Sequence, residues 1–415
     1  MSRFFKSEKT FLVFLSVFNL VLRAARLNSP PEPFLNEKYF ILPAVRSILQ
    51  GLGDKMPVTP PSPIGKLIFT ASIKIFGDNP IGWRIMPILF TTASVILTYF
   101  LAKEIFKNRA IATTVSILLT FETAVFVHSR SMDPEAIFVT FVLLSLFFSW
   151  KLITENKIKW IFYTGISFGL SLTVKPQALL TMIAISITLF FFSKSKRLLS
   201  ISLIFLLPMF VYLAIYTPLL KGRGITGFIT LHQQMYQYHT NYWPKNYYQV
   251  MSQTEYGPRM PQIDSYMRNP ILWLKNPKLP YFERNISDQK QAVIYTYNPL
   301  IFFPAIGAFL LGLVLAVKKK DQGIIFLLIT TSFFYFPYLI SSLYKPLTYP
   351  PYYLLSGLPP LVILLSYFID VVRKKARFIF IVYLVIVVVT FAVYYPLLSA
   401  LPVNYDYFHL FTGLR

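Results

Sequence analysis

The sequence predicts an all-α integral membrane protein, a bundle of about eleven transmembrane helices. Of its 415 residues, 55% are hydrophobic and 14% are charged, and the mean hydropathy is +0.55. Apolar runs long enough to cross a hydrocarbon core of about 30 Å recur from Phe11 to Leu398. Short basic clusters separate many of these runs. One soluble core could not hide this much apolar surface, so a bilayer has to cover it.

The net charge of +23 is carried by lysine and arginine clusters between the apolar runs. This placement indicates membrane topology rather than nucleic-acid binding. The chain has no cysteine, which excludes disulfides and thiolate metal sites. The first apolar run follows basic residues as a signal peptide does, but no small-residue cleavage site follows Asn28. We interpret this run as a retained helix.

The apolar runs predict the helices in chain order. They cover residues 11–27, 82–105, 111–127, 136–153, 160–174, 178–192, 198–220, 299–317, 323–343, 352–372 and 378–398. Every second connection is basic, so these connections and the N-terminus are predicted to face the cytoplasm. The C-terminus and the long connections 28–80 and 221–298 are then outside. This organisation predicts an N-terminal membrane module (1–220) with a catalytic first outer loop (28–80), a small outer loop domain (221–298) and C-terminal helices (299–415).

The first outer loop contains a segment, residues 31–51, with acids at its start and apolar residues at helical spacing. We expect an amphipathic helix lying on the outer leaflet. Its polar start carries Glu32, Asn36 and Glu37, and a carboxylate there could deprotonate an acceptor hydroxyl. The alternative is an interfacial helix with ordinary solvated acids.

Residues 34–51, 60–84 and 128–138 resemble the protein O-mannosyltransferase branch of the GT-C glycosyltransferases, which is also related to aminoarabinose transferases. That family shows a Phe-Asp-Glu segment, an amphipathic helix, a His-Pro-Pro-Leu-Gly-Lys segment and a Ser-Arg segment followed by Asp. The matching residues here are Glu37, Gly65, Lys66, Ser129, Arg130 and Asp133. The resemblance implies an EC 2.4 glycosyltransferase that moves mannose or another hexose by inverting displacement. The donor would be a polyprenyl (dolichyl) phosphate sugar and the acceptor an extracytoplasmic hydroxyl.

Two positions depart from the family pattern. Asn36 stands where the family has its catalytic Asp, and Pro61 stands where it has His. An amide cannot act as a general base at neutral pH. Either Glu37 or Glu32 has taken that role, or the protein is an inactive partner subunit. We predict Glu37 as the base, beside Asn36.

The departing lipid phosphate calls for cations near the outer membrane face. The predicted donor phosphate-binding residues are Arg130, Lys175 and Lys345. Lys175 lies between two helices of about 15 residues each, where a charge is costly and therefore a functional candidate. The alternatives are an Arg130–Asp133 pair and lysines that snorkel to the interface. The residues predicted to support substrate or structure are Glu32, Lys66, His128, Asp133 and Tyr349.

Glu122 is predicted inside the third helix, paired with Arg23, Arg26 or Arg84. In the second outer loop, His232 and His239 are two helical turns apart without a third ligand, so no metal site is predicted. No cofactor is expected, although a divalent cation is left open. Asn285-Ile286-Ser287 is a glycosylation sequon.

A secondary transporter or lipid flippase is the competing class of protein. Transporters usually carry internal repeats, and none is visible here. The expected partners are a protein, glycan or lipid acceptor, membrane lipids and a second subunit in a homo- or hetero-dimer, but no nucleic acid. The expected location is the cell membrane.

Overall fold

The structure is a computed structural model that describes residues 7–51, 62–193, 197–217, 224–237, 260–344 and 349–413. It is mostly helical, which confirms the predicted fold class. The helices of the first half, in chain order, are α1 Glu8–Ala24, α2 Leu42–Leu49, α3 Pro63–Phe76, α4 Pro80–Phe106, α5 Arg109–Thr120, α6 Thr123–His128, α7 Glu135–Glu155, α8 Ile158–Val174, α9 Ala178–Phe192, α10 Arg197–Tyr216 and α11 Gly224–Gln237.

The second half combines helices with a small sheet that was not predicted. Its elements are α12 Met260–Arg268, β1 Leu279–Ile286, β2 Gln289–Tyr295, α13 Pro299–Lys319, α14 Gln322–Phe333, α15 Phe336–Tyr344, α16 Leu358–Lys375, α17 Arg377–Leu398, β3 Val403–Asn404 and α18 Tyr405–Thr412. Two 3₁₀ turns, Pro270–Lys275 and Pro351–Ser356, precede β1 and α16.

Each predicted membrane span coincides with helix in the described residues. Within the part of the chain that the structure describes, six segments are long and apolar enough to cross a bilayer, and they are Pro80–Phe106, Glu135–Glu155, Leu199–Tyr216, Pro299–Lys319, Gln322–Tyr344 and Arg377–Leu398. Three further apolar helices, α5, α8 and α9, are shorter. The number of eleven crossings therefore stays a prediction. The predicted break at Lys175 is confirmed, because α8 ends at Val174 and α9 begins at Ala178.

The predicted third helix is broken at Glu122. This residue caps α6, where its carboxylate accepts hydrogen bonds from the backbone N–H of Val125 and of Asn298, both at 2.9 Å. Backbone N–H donors stabilise a buried carboxylate by hydrogen bonding to its oxygens. The predicted pairing of Glu122 with an arginine is therefore wrong. The bond also ties the start of α6 to Asn298, which caps α13.

The predicted amphipathic helix is confirmed as a short π-helical turn, Glu37–Ile41, that continues into α2. Ile41, Ala44 and Val45 of the predicted apolar face are buried. On the polar side, Arg46 binds Asp78 at 2.8 Å. The apolar spacing therefore predicted a helix here, but these three apolar residues are buried within the protein, and the placement of the helix on the outer leaflet stays a prediction.

Helix α4 is central to the first half and packs against α3, α5 and α7, while α8 lies between α7 and α10. A close approach makes the turn from α3 into α4 possible, since a Cβ at Gly82 would lie 1.9 Å from the carbonyl oxygen of Gly77. The start of α3 lies against the segment before α7, because a Cβ added at Gly65 would be 3.4 Å from Cβ of Pro134.

The sheet is antiparallel, with strand order β1-β2-β3. Leu279 pairs with Tyr295 at one end of the hairpin and Ile286 with Gln289 at the other. Strand β2 packs against α6 and α17, and β3 joins it through Val403. The sheet thus lies against the short helix that ends at His128.

Candidate active site

A buried ion pair holds the first outer loop (28–80) in place. The guanidinium of Arg84 donates to both carboxylate oxygens of Glu37, at 3.0 and 2.9 Å, and both residues are 0% exposed. The backbone N–H of Met132 donates to the same carboxylate at 2.6 Å and that of Phe34 at 3.3 Å. Four donors thus engage both oxygens of Glu37. This geometry favours a structural role, and the role of general base stays a prediction for Glu37.

Arg84 also fixes the chain path before Glu37. Its remaining N–H groups donate to the backbone carbonyls of Leu27, Pro30 and Glu32 at 2.7 to 3.2 Å. One fully buried arginine therefore joins the end of α1 to the helix that carries Asn36.

Arg130 has a comparable task at the end of α1. Its guanidinium donates to the backbone carbonyls of Arg23 at 2.7 Å and Arg26 at 2.8 Å, and also to that of Ala25. A cation at the carboxyl end of a helix satisfies its free carbonyls and complements the helix dipole. The suggested pair of Arg130 with Asp133 is wrong, since these contacts take its place. Binding of donor phosphate by Arg130 stays a prediction.

Asn36 and Asp133 meet directly. The side-chain amide of Asn36 donates to Oδ2 of Asp133 at 2.5 Å, and the backbone N–H of Glu135 donates to Oδ1 at 3.1 Å. Asp133 is 1% exposed. Asn36 therefore positions the carboxylate of Asp133.

Lys175, at the junction of α8 and α9, places a cation in the site. Its ammonium group forms an ion pair with Glu135 and lies 5.2 and 5.3 Å from the ring centres of Tyr352 and Tyr353. Burial lowers the pKa of Lys175 to about 8, and Asp133 opposes this shift. The ion pair with Glu135 favours the charged form, so Lys175 is a cation at neutral pH.

His128 closes the site from the side of the sheet. Its Nε2 lies 3.2 Å from the hydroxyl of Tyr281, and its Nδ1 lies 3.9 Å from Oδ2 of Asp133. The rings of Tyr281, Tyr295 and Tyr352 surround the imidazole at centre-to-centre distances of 5.2 to 5.5 Å. Burial lowers the pKa of His128 to about 4, so the ring is neutral at physiological pH.

The other predicted residues lie around this centre. Glu32 is paired with the exposed Arg284 at 2.9 Å, which links the first connection to β1. Lys66 lies in the first turn of α3, and burial lowers its pKa to about 8. The hydroxyl of Tyr349 accepts from Ser341, and its ring lies 6.4 Å from that of Tyr353. Lys345 lies outside the described residues.

Sequence reasoning missed two charged partners, Arg84 and Glu135. The sequence offers Arg84 as a partner for Glu122, whereas a signal for its pairing with Glu37 is that an acid beside the membrane needs a cation and Arg84 lies in the matching segment 60–84. Glu135 is two residues after Asp133, but only the fold shows that Lys175 reaches it. Tyr295 gave no signal, because its role depends on the pairing of β1 with β2.

Residues 59–221 match the sequence profile of the family described as dolichyl-phosphate-mannose-protein mannosyltransferase. A curated relative, an uncharacterized protein of Aquifex aeolicus, is 30% identical over 95 residues, which are 23% of this chain and 19% of that protein. The chain thus matches only about a fifth of the length of that relative.

Solved structures match almost the whole chain. The Pmt1–Pmt2 protein O-mannosyltransferase complex of S. cerevisiae, bound to its sugar donor, aligns with a TM-score of 0.79 at 13% identity and covers 98% of this chain and 92% of its own. This chain has the GT-C fold. ArnT of Cupriavidus metallidurans with undecaprenyl phosphate aligns at TM-score 0.59, 11% identity and 93% and 71% coverage. The Archaeoglobus fulgidus oligosaccharyltransferase aligns with a TM-score of 0.57 at 13% identity. The alignment covers 94% of this chain and 55% of that one.

These similarities confirm the resemblance that the first 140 residues indicate. They also confirm a multi-pass membrane protein of GT-C architecture. Among the described residues, no three His, Cys, Asp or Glu side chains are grouped to hold a metal ion. The expectation that no cofactor is needed stays a prediction.

Proposed function

We propose that this chain is a membrane glycosyltransferase that moves a sugar from a polyprenyl-phosphate carrier to an acceptor hydroxyl. The observation that carries the proposal is the buried carboxylate of Asp133, held by Asn36 within a GT-C fold. Structures with this fold include one bound to its sugar donor and one bound to undecaprenyl phosphate. A lipid carrier is a donor that a membrane-embedded site can reach from within the bilayer.

In this proposal Asp133, rather than Glu37, is the general base. The acceptor hydroxyl gives its proton to Asp133 while its oxygen forms a bond to C1 of the sugar. The bond from C1 to the phosphate oxygen breaks, and the polyprenyl phosphate leaves with the electron pair, which inverts C1. The Asn36 amide orients the Asp133 carboxylate, and the ion pair of Glu37 with Arg84 holds the first outer loop in place.

Lys175 is the cation for the leaving phosphate. The N–H groups of Arg84 and Arg130 donate to backbone carbonyls, and those of Arg84 also to Glu37. The Lys175 side chain, in contrast, is 13% exposed and forms an ion pair with one carboxylate. An ammonium group offers three donors, so phosphate and Glu135 can share it. Charge that builds up on the phosphate in the transition state is thereby stabilised.

The identity of the transferred sugar and the side of the membrane on which the site lies are also proposed. Mannose is the sugar in the description of the matching family, so we propose mannose first. The alternating basic connections support a cytoplasmic N-terminus, an outside C-terminus and an extracytoplasmic site. A protein hydroxyl, as in protein glycosylation, is the first acceptor to test, followed by a glycan and a lipid.

Asn36 supports a second candidate, a catalytically inactive partner subunit. The Pmt1–Pmt2 structure is a complex of two chains, so an assembly with a second subunit is compatible with this fold. In such an assembly this chain would support an active partner, and the homo- or hetero-dimer is part of that proposal.

The deciding experiment presents purified protein in lipid nanodiscs with radiolabelled polyprenyl-phosphate mannose, glucose or aminoarabinose and a Ser/Thr-containing peptide. Label that moves covalently to the peptide supports the transferase. Transfer that appears only with a second subunit favours the inactive partner. In a parallel reconstitution into sealed vesicles, label that crosses the membrane while still attached to lipid, without any transfer to peptide, would contradict both and indicate a flippase.

A further inference from the structure

We propose that His128 and Asp133 form a binding notch for one substrate hydroxyl, in which His128 donates a hydrogen bond to the hydroxyl oxygen and Asp133 accepts a hydrogen bond from the hydroxyl. The notch deepens the proposed function and rests on it. It makes His128 a positioning and binding residue for a hydroxyl rather than a phosphate ligand.

The separation of the two atoms matches one bridging oxygen atom. Nδ1 of His128 and Oδ2 of Asp133 are 3.9 Å apart, which is too long for a direct hydrogen bond. An oxygen at about 2.8 Å from each atom bridges this gap with ordinary hydrogen-bond lengths. His128 is 2% exposed, and among the described residues its Nδ1 has no hydrogen-bond partner. A buried polar atom without a partner is costly, so a ligand oxygen there gains affinity.

In this proposal the Asp133 carboxylate selects which nitrogen of His128 carries the proton. A carboxylate oxygen is an acceptor 3.9 Å from Nδ1, so it favours a proton on Nδ1, and the Tyr281 hydroxyl, 3.2 Å from Nε2, can donate to the nitrogen that is left without one. Burial keeps the ring neutral, with its pKa lowered to about 4. Lys175 adds to this effect and Asp133 opposes it. His128 therefore presents an N–H, and not a lone pair, toward Asp133.

The charges select a hydroxyl over an anion. A hydroxyl accepts from His128 and simultaneously donates to the Asp133 carboxylate. A phosphate oxygen has no proton for Asp133 and would place negative charge beside it. The leaving phosphate is thus directed to Lys175, and the notch is reserved for the acceptor hydroxyl or for a hydroxyl of the donor sugar.

Three tyrosines hold the imidazole in its orientation. Tyr281 comes from β1, Tyr295 from β2 and Tyr352 from the turn before α16, and their rings lie within 5.5 Å of the His128 ring centre. The rings of Tyr281 and Tyr295 are themselves stacked at 5.4 Å. A ring confined on three sides cannot rotate to exchange its nitrogens, so the notch is preformed.

The first test reads the tautomer without any turnover. Solid-state ¹⁵N NMR of histidine-labelled protein in lipid resolves the four histidines of the chain, and His128→Gln identifies the signal of His128. We expect a neutral ring with Nδ1–H from pH 5.5 to 8, and a changed tautomer ratio in Tyr281→Phe. A ring with Nε2–H, or one protonated at pH 5.5, would overturn the notch.

The second test compares two amide replacements. Asparagine places its NH₂ group near the position of Nδ1, whereas glutamine reaches the position of Nε2. We expect His128→Gln to raise the KM for one substrate at least tenfold and His128→Asn to keep it within about threefold. A raised KM for acceptor assigns the notch to the acceptor, and a raised KM for donor assigns it to the sugar.

Equal KM values in both variants and wild type would overturn the notch while leaving the transferase intact. Loss of transfer in wild type would instead contradict the proposed function, and the NMR result would still decide the tautomer. Thermal unfolding of each variant in lipid separates a changed KM from a damaged fold.

Discussion

The amide of Asn36 donates a hydrogen bond of 2.5 Å to the carboxylate of Asp133, which lies 97 positions later in the chain. This contact joins the first outer loop to the segment before α7. An amide cannot act as a base, but as a hydrogen-bond donor it orients the neighbouring carboxylate. The acid-base chemistry of the proposed site then belongs to Asp133.

Asn36→Asp is predicted to lower transfer at neutral pH rather than to raise it. Two carboxylates at this distance cannot both ionise, so the pKa of the pair's second proton rises. Activity of the variant should therefore recover as pH increases, with a profile shifted to higher pH than that of wild type. Initial rates from pH 5.5 to 9 measure this. Higher activity in Asn36→Asp at pH 7 would instead support the inactive-partner candidate.

Glu37→Gln is predicted to destabilise the protein through Arg84. The variant leaves a buried guanidinium without its acid, which typically costs about 3–5 kcal/mol of folding free energy. Because Arg84 also holds three backbone carbonyls, the double variant Glu37→Gln/Arg84→Met is compared with Arg84→Met alone, and Glu37→Gln should lower the thermal midpoint in lipid much less in that background than in wild type. Unchanged stability of Glu37→Gln together with abolished transfer would identify Glu37 as the base.

Lys175→Met is predicted to lose both stability and donor binding. The loss of stability comes from Glu135, whose buried carboxylate loses its cation. In the double variant Lys175→Met/Glu135→Gln the stability should return, while the KM for the lipid donor stays raised about tenfold or more. Recovery of the donor KM in the double variant would show that Lys175 is a structural residue only.

Acid should weaken the fold through His128. Its pKa is lowered by burial to about 4 in the folded protein, against about 6.5 in an unfolded chain. Between these pH values the unfolded chain binds more protons, so stability falls as pH decreases from 6.5 toward 4. Asp133 and Lys175 are the charged groups that act on His128. Thermal midpoints at pH 7 and 4.5 should differ more in wild type than in His128→Gln, and equal differences would contradict this account.

Most of the helical framework follows from sequence because its causes are local. Apolar runs, basic clusters and caps such as Asn298 before Pro299 determine where helices begin and end. The break at Glu122 was missed, since it depends on a hydrogen bond to Asn298, 176 positions away. The β1–β2 hairpin was missed because its strands gain stability by packing against α6 and α17.

The site was only partly predictable for the same reason. Sequence brought forward Asn36, Glu37, Asp133 and Lys175, but it could not assign their partners. Glu37 was favoured as base by its position beside Asn36, and the structure pairs it with Arg84. Glu37 is paired with Arg84, and Asp133 is oriented by Asn36. Both contacts join segments about 50 to 100 residues apart, so the sequence does not reveal them.

Sugar transfer by Asp133→Asn, compared with wild type at equal protein concentration in lipid nanodiscs, tests the central claim most directly. General-base catalysis contributes about 10²–10⁴ in rate, so we expect transfer to fall by at least 10² while the thermal midpoint and the donor KM change little. Transfer by Asp133→Asn within tenfold of wild type would contradict Asp133 as the base.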